Sequence, residues 1–200
     1  VGYEENFDKD MGVLTTSRQV EAVKVHISDA LDSGAEIFIQ SQTPNSNSIN
    51  NCMPATVLVN VDHSMKVMRE ETFGPVLAIM SYNTDEQAIQ LANDSDLGLT
   101  GSVWSNNPKR ADYIARRINA GAVNINDHMM SHGMAETPWG GFKNSGFGRT
   151  HGKFGFDEMT QPKVIVRDIL PFRKRNMWWQ PFDRKAYDGF LGVMKFRFGK

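Results

Sequence analysis

Apolar residues recur along the chain in two alternating rhythms, one helical and one strand-like, and together they predict most of its elements. Thr16-Ser17-Arg18-Gln19 has the spacing of a capping box, in which the Thr hydroxyl and the Gln side chain each satisfy a backbone group left free at a helix start. Val20, Val23, Ile27 and Leu31 then fall on one helical face, and Gly34 stands where a left-handed residue ends such a helix. Ala35 to Gln40 predicts a strand, Ser41 to Asn51 a polar exposed loop, and Val57 to Val61 a second strand. Pro75 to Tyr82 is a third strand, apolar enough to be covered on both faces.

Thr84-Asp85-Glu86-Gln87 repeats the capping-box spacing and opens a helix running to Asn93. Leu99 to Ser105 predicts a strand. Asn107-Pro108 is an N-cap followed by Pro at the first helical position, with Ala111, Ile114, Ala115 and Ile118 on one face and Gly121 as the stop. Ala122 to Asn126 is a further short strand. Strands alternating with amphipathic helices at this spacing predict an α/β fold, a mainly parallel sheet flanked by helices. After Asn126 the rhythm stops. Residues 127–156 are glycine-rich and aperiodic, as in a long ordered loop region or a site. Lys163 to Asp168 is a late, isolated strand whose expected partner is another chain. The predicted organisation is a body over 1–158, the strand over 159–169 and a basic, aromatic, helical tail over 170–200.

Composition adds a few exclusions. Hydrophobic residues make up 40% and charged residues 22% of the 200 positions, which suits a packed core and not a disordered chain. The longest apolar runs are too short to cross a bilayer. A single cysteine, Cys52, excludes an internal disulfide framework and a Cys-rich zinc site. The first residues show no basic stretch leading into an apolar one, so a cytoplasmic setting is expected.

The charge is uneven. The formal net charge of −1 conceals eight basic and two acidic residues between Pro171 and Lys200, against 14 basic and 21 acidic before them. That polarity points the tail at an acidic surface: its own body, a partner subunit, anionic lipid or nucleic acid. Of these, nucleic acid is not expected as a partner, because no binding motif is present and the acidic body argues against a broad phosphate-binding surface. Within the tail, Met177-Trp178-Trp179-Gln180-Pro181-Phe182 precedes a candidate helix with Tyr187, Phe190, Leu191, Met194 and Phe198 at helical spacing. A stripe packed on the body or a neighbouring subunit is the first expectation. Peripheral contact with a membrane is the other.

The candidate chemistry begins with what is missing. No G-x-G-x-x-G opens a strand–helix unit, and neither a P-loop nor a G-x-S-x-G elbow is present. His128, His132 and Glu136 have the spacing that would align metal ligands on a helix, but Gly133 interrupts the segment and Pro138 follows it, so no metal site is expected. Cys52 lies between an Asn-rich loop and Met53-Pro54, without the helix N-terminus or base that makes a thiol reactive, and reads as an inert small hydrophobe. Arg69-Glu70-Glu71-Thr72-Phe73-Gly74-Pro75-Val76 is more informative. Taken plainly it is a tight turn before a buried strand. A carboxylate beside an aromatic ring on such a turn also suits a ribose and a flat heterocycle.

Four stretches carry a family resemblance: Glu70 to Val76, Leu97-Gly98-Leu99-Thr100-Gly101-Ser102-Val103-Trp104, Ile118-Asn119-Ala120-Gly121-Ala122-Val123-Asn124-Ile125-Asn126, and Pro138-Trp139-Gly140-Gly141-Phe142-Lys143-Asn144-Ser145-Gly146-Phe147-Gly148-Arg149. In these motifs, in this order, the chain resembles the C-terminal part of the NAD(P)-dependent aldehyde dehydrogenase superfamily. The resemblance implies that Glu71 holds the nicotinamide ribose hydroxyls and that Phe73 positions the nicotinamide ring. Trp139 and the loop from His128, Met129 and Met130 to Met134 would line the aldehyde entrance. Lys163 to Asp168 would join a second copy's sheet in a homo-oligomer. The cofactor would be NAD or NADP and the substrate a small aldehyde. The family's nucleophilic cysteine and general-base glutamate are not matched, and Cys52 falls in a different motif. The expectation is therefore a segment that contributes cofactor-side and substrate-side residues, with no catalytic residue of its own, no turnover and no confident cofactor binding as this chain alone. The alternative is a standalone, non-catalytic truncated paralogue that serves as an oligomerisation or binding module.

Overall fold

The computed structural model describes residues 1–2, 9–42, 51–167, 169, 180 and 183–199. The first helix, α1 (Ser17–Asp32), starts where its cap predicts: Thr16 Oγ1 accepts the Gln19 backbone N–H at 3.2 Å. The reciprocal half of the capping box does not form. Gln19 Nε2 donates instead to the Thr72 carbonyl, 2.7 Å away and 53 residues on. Val20, Val23, Ile27 and Ala30 form the buried face, joined by His26. The helix stops at Ser33, with Gly34 at φ +100°, a conformation glycine adopts without strain.

β1 (Glu36–Gln40) pairs antiparallel with β2 (Thr56–Val59), and β2 pairs parallel with β3 (Val76–Ala78) after the single-turn α2 (Lys66–Arg69). Two apolar clusters hold this half together. One contains Ala30, Ala35, Leu58, Val61 and Met65; the other contains Val20, Val23, Ile27 and Met53; Val76 packs against both.

α3 (Asp85–Asn93) is capped by Thr84, whose Oγ1 accepts from Gln87 N at 3.1 Å, while Gln87 Oε1 accepts from Asn83 N at 2.7 Å. β4 (Leu97–Gly98) and β5 (Thr100–Val103) follow, then α4 (Pro108–Ala115), capped by Asn107 Oδ1. β6 (Ala122–Ile125) runs parallel to β5. α4 ends at Ala115, well before the glycine expected to stop it. Gly121 serves a close backbone approach instead, since a Cβ there would collide with the Gly140 carbonyl oxygen. The aperiodic stretch after Asn126 holds three short elements: α5 (Met130–Gly133), β7 (Phe142–Lys143, antiparallel to β4) and α6 (Gly152–Glu158). Elements this short have no room for a readable period.

The fold is α/β, but the single mainly parallel sheet expected from the alternation is not what these residues build. They form three small sheets, with parallel ladders β2–β3 and β5–β6 and antiparallel ladders β1–β2 and β4–β7. Both parallel pairs have a helix in the connection, α2 or α4, whereas the sequence between β1 and β2 has no helical period to serve as a crossover. β3 is also shorter than expected and is not covered on both faces: Leu77 and Ile79 are 58% and 47% exposed.

The chain divides into two compact units, Val1–Thr160 and Gln161–Lys200. In the second, residues 161–167 have no ladder partner among the described residues, and Val164, Ile165 and Val166 are 80–87% exposed. The expected strand is thus unpaired, and its last residue, Asp168, lies outside the described residues. α7 (Arg184–Phe198) begins at Asp183, whose Oδ1 accepts from Ala186 N at 2.7 Å. The aromatic run Met177 to Phe182 lies, apart from Gln180, outside the described residues. No described helix is long and apolar enough to cross a membrane.

Candidate functional site

The loop from Glu70 to Pro75 joins α2 to β3, and α1 grips it at three points. Gln19 donates to the Thr72 carbonyl. His26, buried on the apolar face of α1, places Nδ1 3.0 Å from Thr72 Oγ1 and Nε2 3.3 Å from Glu70 Oε2. Gly74 lies so close to Val23 that a Cβ would overlap its methyl group. With Thr72 and Gly74 held inward, the residues next to them turn outward: Glu71 is exposed, and Phe73 is 73% exposed. Phe73 sits at φ +42°, a region bulky residues rarely enter. Such a conformation costs about 1–3 kcal/mol and persists only where the surroundings enforce it. The result is a carboxylate and a flat ring displayed side by side on a rigid base. A groove of about 440 Å³ lies alongside, lined by Met11, Ile39, Thr56, Pro75 and Leu77 among others.

A second set of residues is built on β5, β6 and the turns beyond them. Ser102 Oγ donates to the Asp127 carbonyl at 2.8 Å. The Asp127 carboxylate accepts from Met129 N and Met130 N at 2.7 and 3.0 Å. The Met130 N–H first, and then that of Met129, holds the Asp127 carboxyl below its ordinary range. This clasp leaves His128, Met129 and Met130 on the exposed side, while Ser131 is buried and accepts from Asn124 Nδ2 at 3.3 Å.

Trp139 is fixed by a two-way backbone pair with Thr150, at 2.9 and 2.8 Å. Its ring meets His132 edge-on at a centroid distance of 4.7 Å, and His132 lies 5.8 Å from His151. Trp139 Nε1 and His151 Nδ1 are buried without hydrogen-bond partners among the described residues, so this cluster keeps unused polar capacity. Arg149 Nη1 donates to the carbonyls of Gly141 and Gly148 at 3.1 and 2.6 Å and braces the glycine-rich turn behind Trp139. His128, His132 and Glu136 do not share a helix face, because α5 spans four residues and His132 is engaged with Trp139. No metal-ligating cluster occurs among the described residues. Cys52 is half-buried beside Met53, which belongs to the α1 cluster.

Glu71 and Phe73 therefore rest on one support, and His128, Met129, Met130 and Trp139 on another. Sequence reasoning missed the residues that aim the first pair, namely Gln19, His26 and Thr72. The readable signal was a histidine on an otherwise apolar helical face.

The sequence model of the Aldehyde dehydrogenase family matches residues 1–165. The chain belongs to the aldehyde dehydrogenase family. It is 39% identical over 191 residues to a 4,4'-diapolycopene aldehyde oxidase from Methylomonas sp, covering 96% of this chain and 35% of that protein. It is 33% identical over 166 residues to the betaine aldehyde dehydrogenase of Bacillus subtilis, covering 82% and 34%. Among solved structures, the betaine aldehyde dehydrogenase of Staphylococcus aureus in complex with NAD+ superposes with a TM-score of 0.71 at 35% identity, covering 76% of this chain and 30% of that one. The Mycobacterium tuberculosis aldehyde dehydrogenase complexed with NAD+ gives 0.70 at 36% identity, covering 76% and 31%. The chain spans about a third of the length of the relatives it matches. The family match ends at residue 165, but the similarity to the Methylomonas protein covers 96% of the chain and so continues through most of the tail.

Proposed function

We propose that this chain supplies the nicotinamide-ribose and aldehyde-entrance residues of an NAD(P)-dependent aldehyde dehydrogenase. The overall reaction converts an aldehyde, NAD(P)+ and water to a carboxylate and NAD(P)H. The observation that carries this reading is the paired outward display of Glu71 and Phe73 on a strained loop that α1 holds rigid. A carboxylate with two free acceptor oxygens suits the two vicinal hydroxyls of a ribose, and an exposed ring beside it suits a flat heterocycle. Bound there, the cofactor supplies the hydride acceptor. Glu71 orients the ribose and Phe73 limits the tilt of the ring. Two similar solved structures contain NAD+, which supports the cofactor class. His128, Met129, Met130 and Trp139 line the aldehyde entrance in this reading, and Cys52, set beside a core residue, has no catalytic role. The relative whose similarity reaches through most of the tail is named for a diapolycopene aldehyde, and we favour an apolar aldehyde as substrate.

The test is kinetic. In the protein that carries this chain, Glu71→Gln weakens a charge-assisted hydrogen bond and raises the KM for NAD(P)+ about tenfold or more, with the fold intact by circular dichroism. An unchanged KM overturns the assignment. The 200-residue chain alone, folded and mixed with NAD+ or NADP+ and an aldehyde panel, shows no NAD(P)H absorbance. Turnover abolished by Cys52→Ala would relocate the nucleophile to this chain.

A second reading draws on the exposed Val164, Ile165 and Val166. An exposed apolar segment with no ladder partner among the described residues is a candidate pairing surface, and we assign it to a second copy of this chain. On that basis the chain also serves as an oligomerisation module, with or without catalysis. Val164→Asp with Val166→Asp reduces the native mass to that of a monomer. An unaltered oligomer rules out the segment as the interface.

A further inference from the structure

We propose that α7 is an interfacial helix that seats this protein on an anionic lipid surface. Not one residue of α7 is buried. Tyr187, Val193, Met194 and Phe198 are 40–67% exposed, and with Leu191 they share one sector of the helix, about 160° wide at 100° per residue. Arg184, Lys185, Asp188 and Lys195 lie outside that sector, together with Phe196, which is 93% exposed. Arg197, in the last turn, falls within the apolar sector, where its long stem reaches along the surface while the guanidinium stays in water. The aromatic rings already have basic neighbours: Arg184 lies 5.6 Å from the Tyr187 ring centre and Arg197 lies 5.8 Å from that of Phe198.

An acidic protein surface would answer the charge of this helix but not its apolar sector. A lipid interface answers both, since anionic headgroups meet the arginines and lysines while the acyl boundary takes the apolar side chains. Asp188, the one acid within the helix, is paired with Arg184 at 3.1 Å, so it offers little opposition to a negative surface. The sequence leading into the helix repeats this combination, with Arg173-Lys174-Arg175 and Trp178-Trp179, residue types enriched at membrane–water boundaries. The helix spans 15 residues, about 22 Å at 1.5 Å per residue. That is shorter than a hydrocarbon core of about 30 Å, so α7 lies in the interface and does not cross it. The tail also lies beyond the residues that the family model matches, yet most of it falls within the similarity to the Methylomonas relative. It is an addition to the family body.

The experiment is co-sedimentation of the full chain with vesicles, in the absence of aldehyde and cofactor, so its outcome is independent of the enzymatic reading. The chain binds vesicles of equimolar phosphatidylglycerol and phosphatidylcholine and releases them at high salt; it does not bind pure phosphatidylcholine. Lys195→Gln with Arg197→Gln weakens partitioning about thirtyfold, near the value for two lost basic contacts. Val193→Asp with Met194→Asp abolishes it, and both variants keep the wild-type melting temperature because these side chains are exposed. Failure of the wild-type chain to bind anionic vesicles overturns the proposal, as does binding that both variants retain. A dimer lost in Val193→Asp with Met194→Asp, without vesicle binding by the wild type, overturns it in favour of a second copy. A lowered melting temperature in that variant, again without vesicle binding, overturns it in favour of packing on the protein itself.

Discussion

α1 and α7 are nearly equal in length, at 16 and 15 residues, and both are opened by a side-chain cap and patterned with apolar residues at helical spacing. One buries five residues and the other none. The difference lies in what the apolar positions contain. α1 uses Val20, Val23, Ile27 and Ala30, branched or small side chains that let a strand and a glycine-bearing loop come close. α7 uses Tyr187, Phe190, Met194 and Phe198, long side chains bordered by arginine and lysine, with Gly189 and Gly192 in its middle. Helical period therefore says that a face is apolar. Side-chain size and the charge beside it say what kind of surface that face suits.

The largest effect should come from placing the same charge in both helices. Val23→Asp puts an unpaired carboxylate at a fully buried position and destabilises the body by about 4 kcal/mol or more. Val193→Asp changes stability by no more than about 0.5 kcal/mol. Urea denaturation of both variants measures the contrast, and equal losses would show that α7 is as much a core helix as α1. Next in size is Gly74→Ala, which forces a methyl group against Val23 and costs about 1–3 kcal/mol by overpacking. Val23→Ala makes room for that methyl group, so the double variant should be more stable than the sum of the two single losses. Strict additivity would mean that α1 does not set the position of the loop carrying Glu71 and Phe73.

The caps sharpen the comparison further. Thr16→Ala removes the acceptor for Gln19 N and lowers body stability by about 1 kcal/mol. Asp183→Ala lowers the helical signal of the tail and leaves the urea midpoint of the body unchanged. The smallest effect is on pH dependence. The hydrogen bond from Arg69, and then that from His63, holds the Asp94 carboxyl below its ordinary range. A carboxyl whose folded pKa is depressed stabilises the fold above its unfolded pKa, and that contribution disappears as pH falls through the folded value. Stability should decline in acid below about pH 4, and Asp94→Asn should make that decline shallower. An identical slope in the variant would assign the acid sensitivity to other carboxylates.

Much of the fold was legible where a few neighbouring residues suffice. Thr16, Thr84 and Asn107 cap where their spacing says they should, and β1, β2, β5 and β6 lie within or close to their expected bounds. The direction of the strands was not legible, because alternation of helix and strand implies parallel pairing only where a helix forms the crossover. Gly121 misled for a similar reason: glycine stops helices, but here its missing Cβ admits the Gly140 carbonyl. At the candidate site, Glu71, Phe73 and Trp139 could be named from their motifs. Gln19 and His26 could not be connected to them, since Gln19 reads as half of a capping box and no local spacing ties His26 to residues 44 and 46 positions on.

By itself the amino-acid order determined the α/β character, the starts of the capped helices, the family motifs and the separation of an acidic body from a basic tail. Each of these depends on residues within a few positions of one another or on summed charge. Only the tertiary structure decided that Gln19 leaves its own helix to hold Thr72, that Gly74 nests on Val23 and that Glu71 and Phe73 consequently face outward. Those contacts join residues more than 50 positions apart, 53 for Gln19 and Thr72. No local period encodes them, because they exist only once α1 and β3 have packed around a common core.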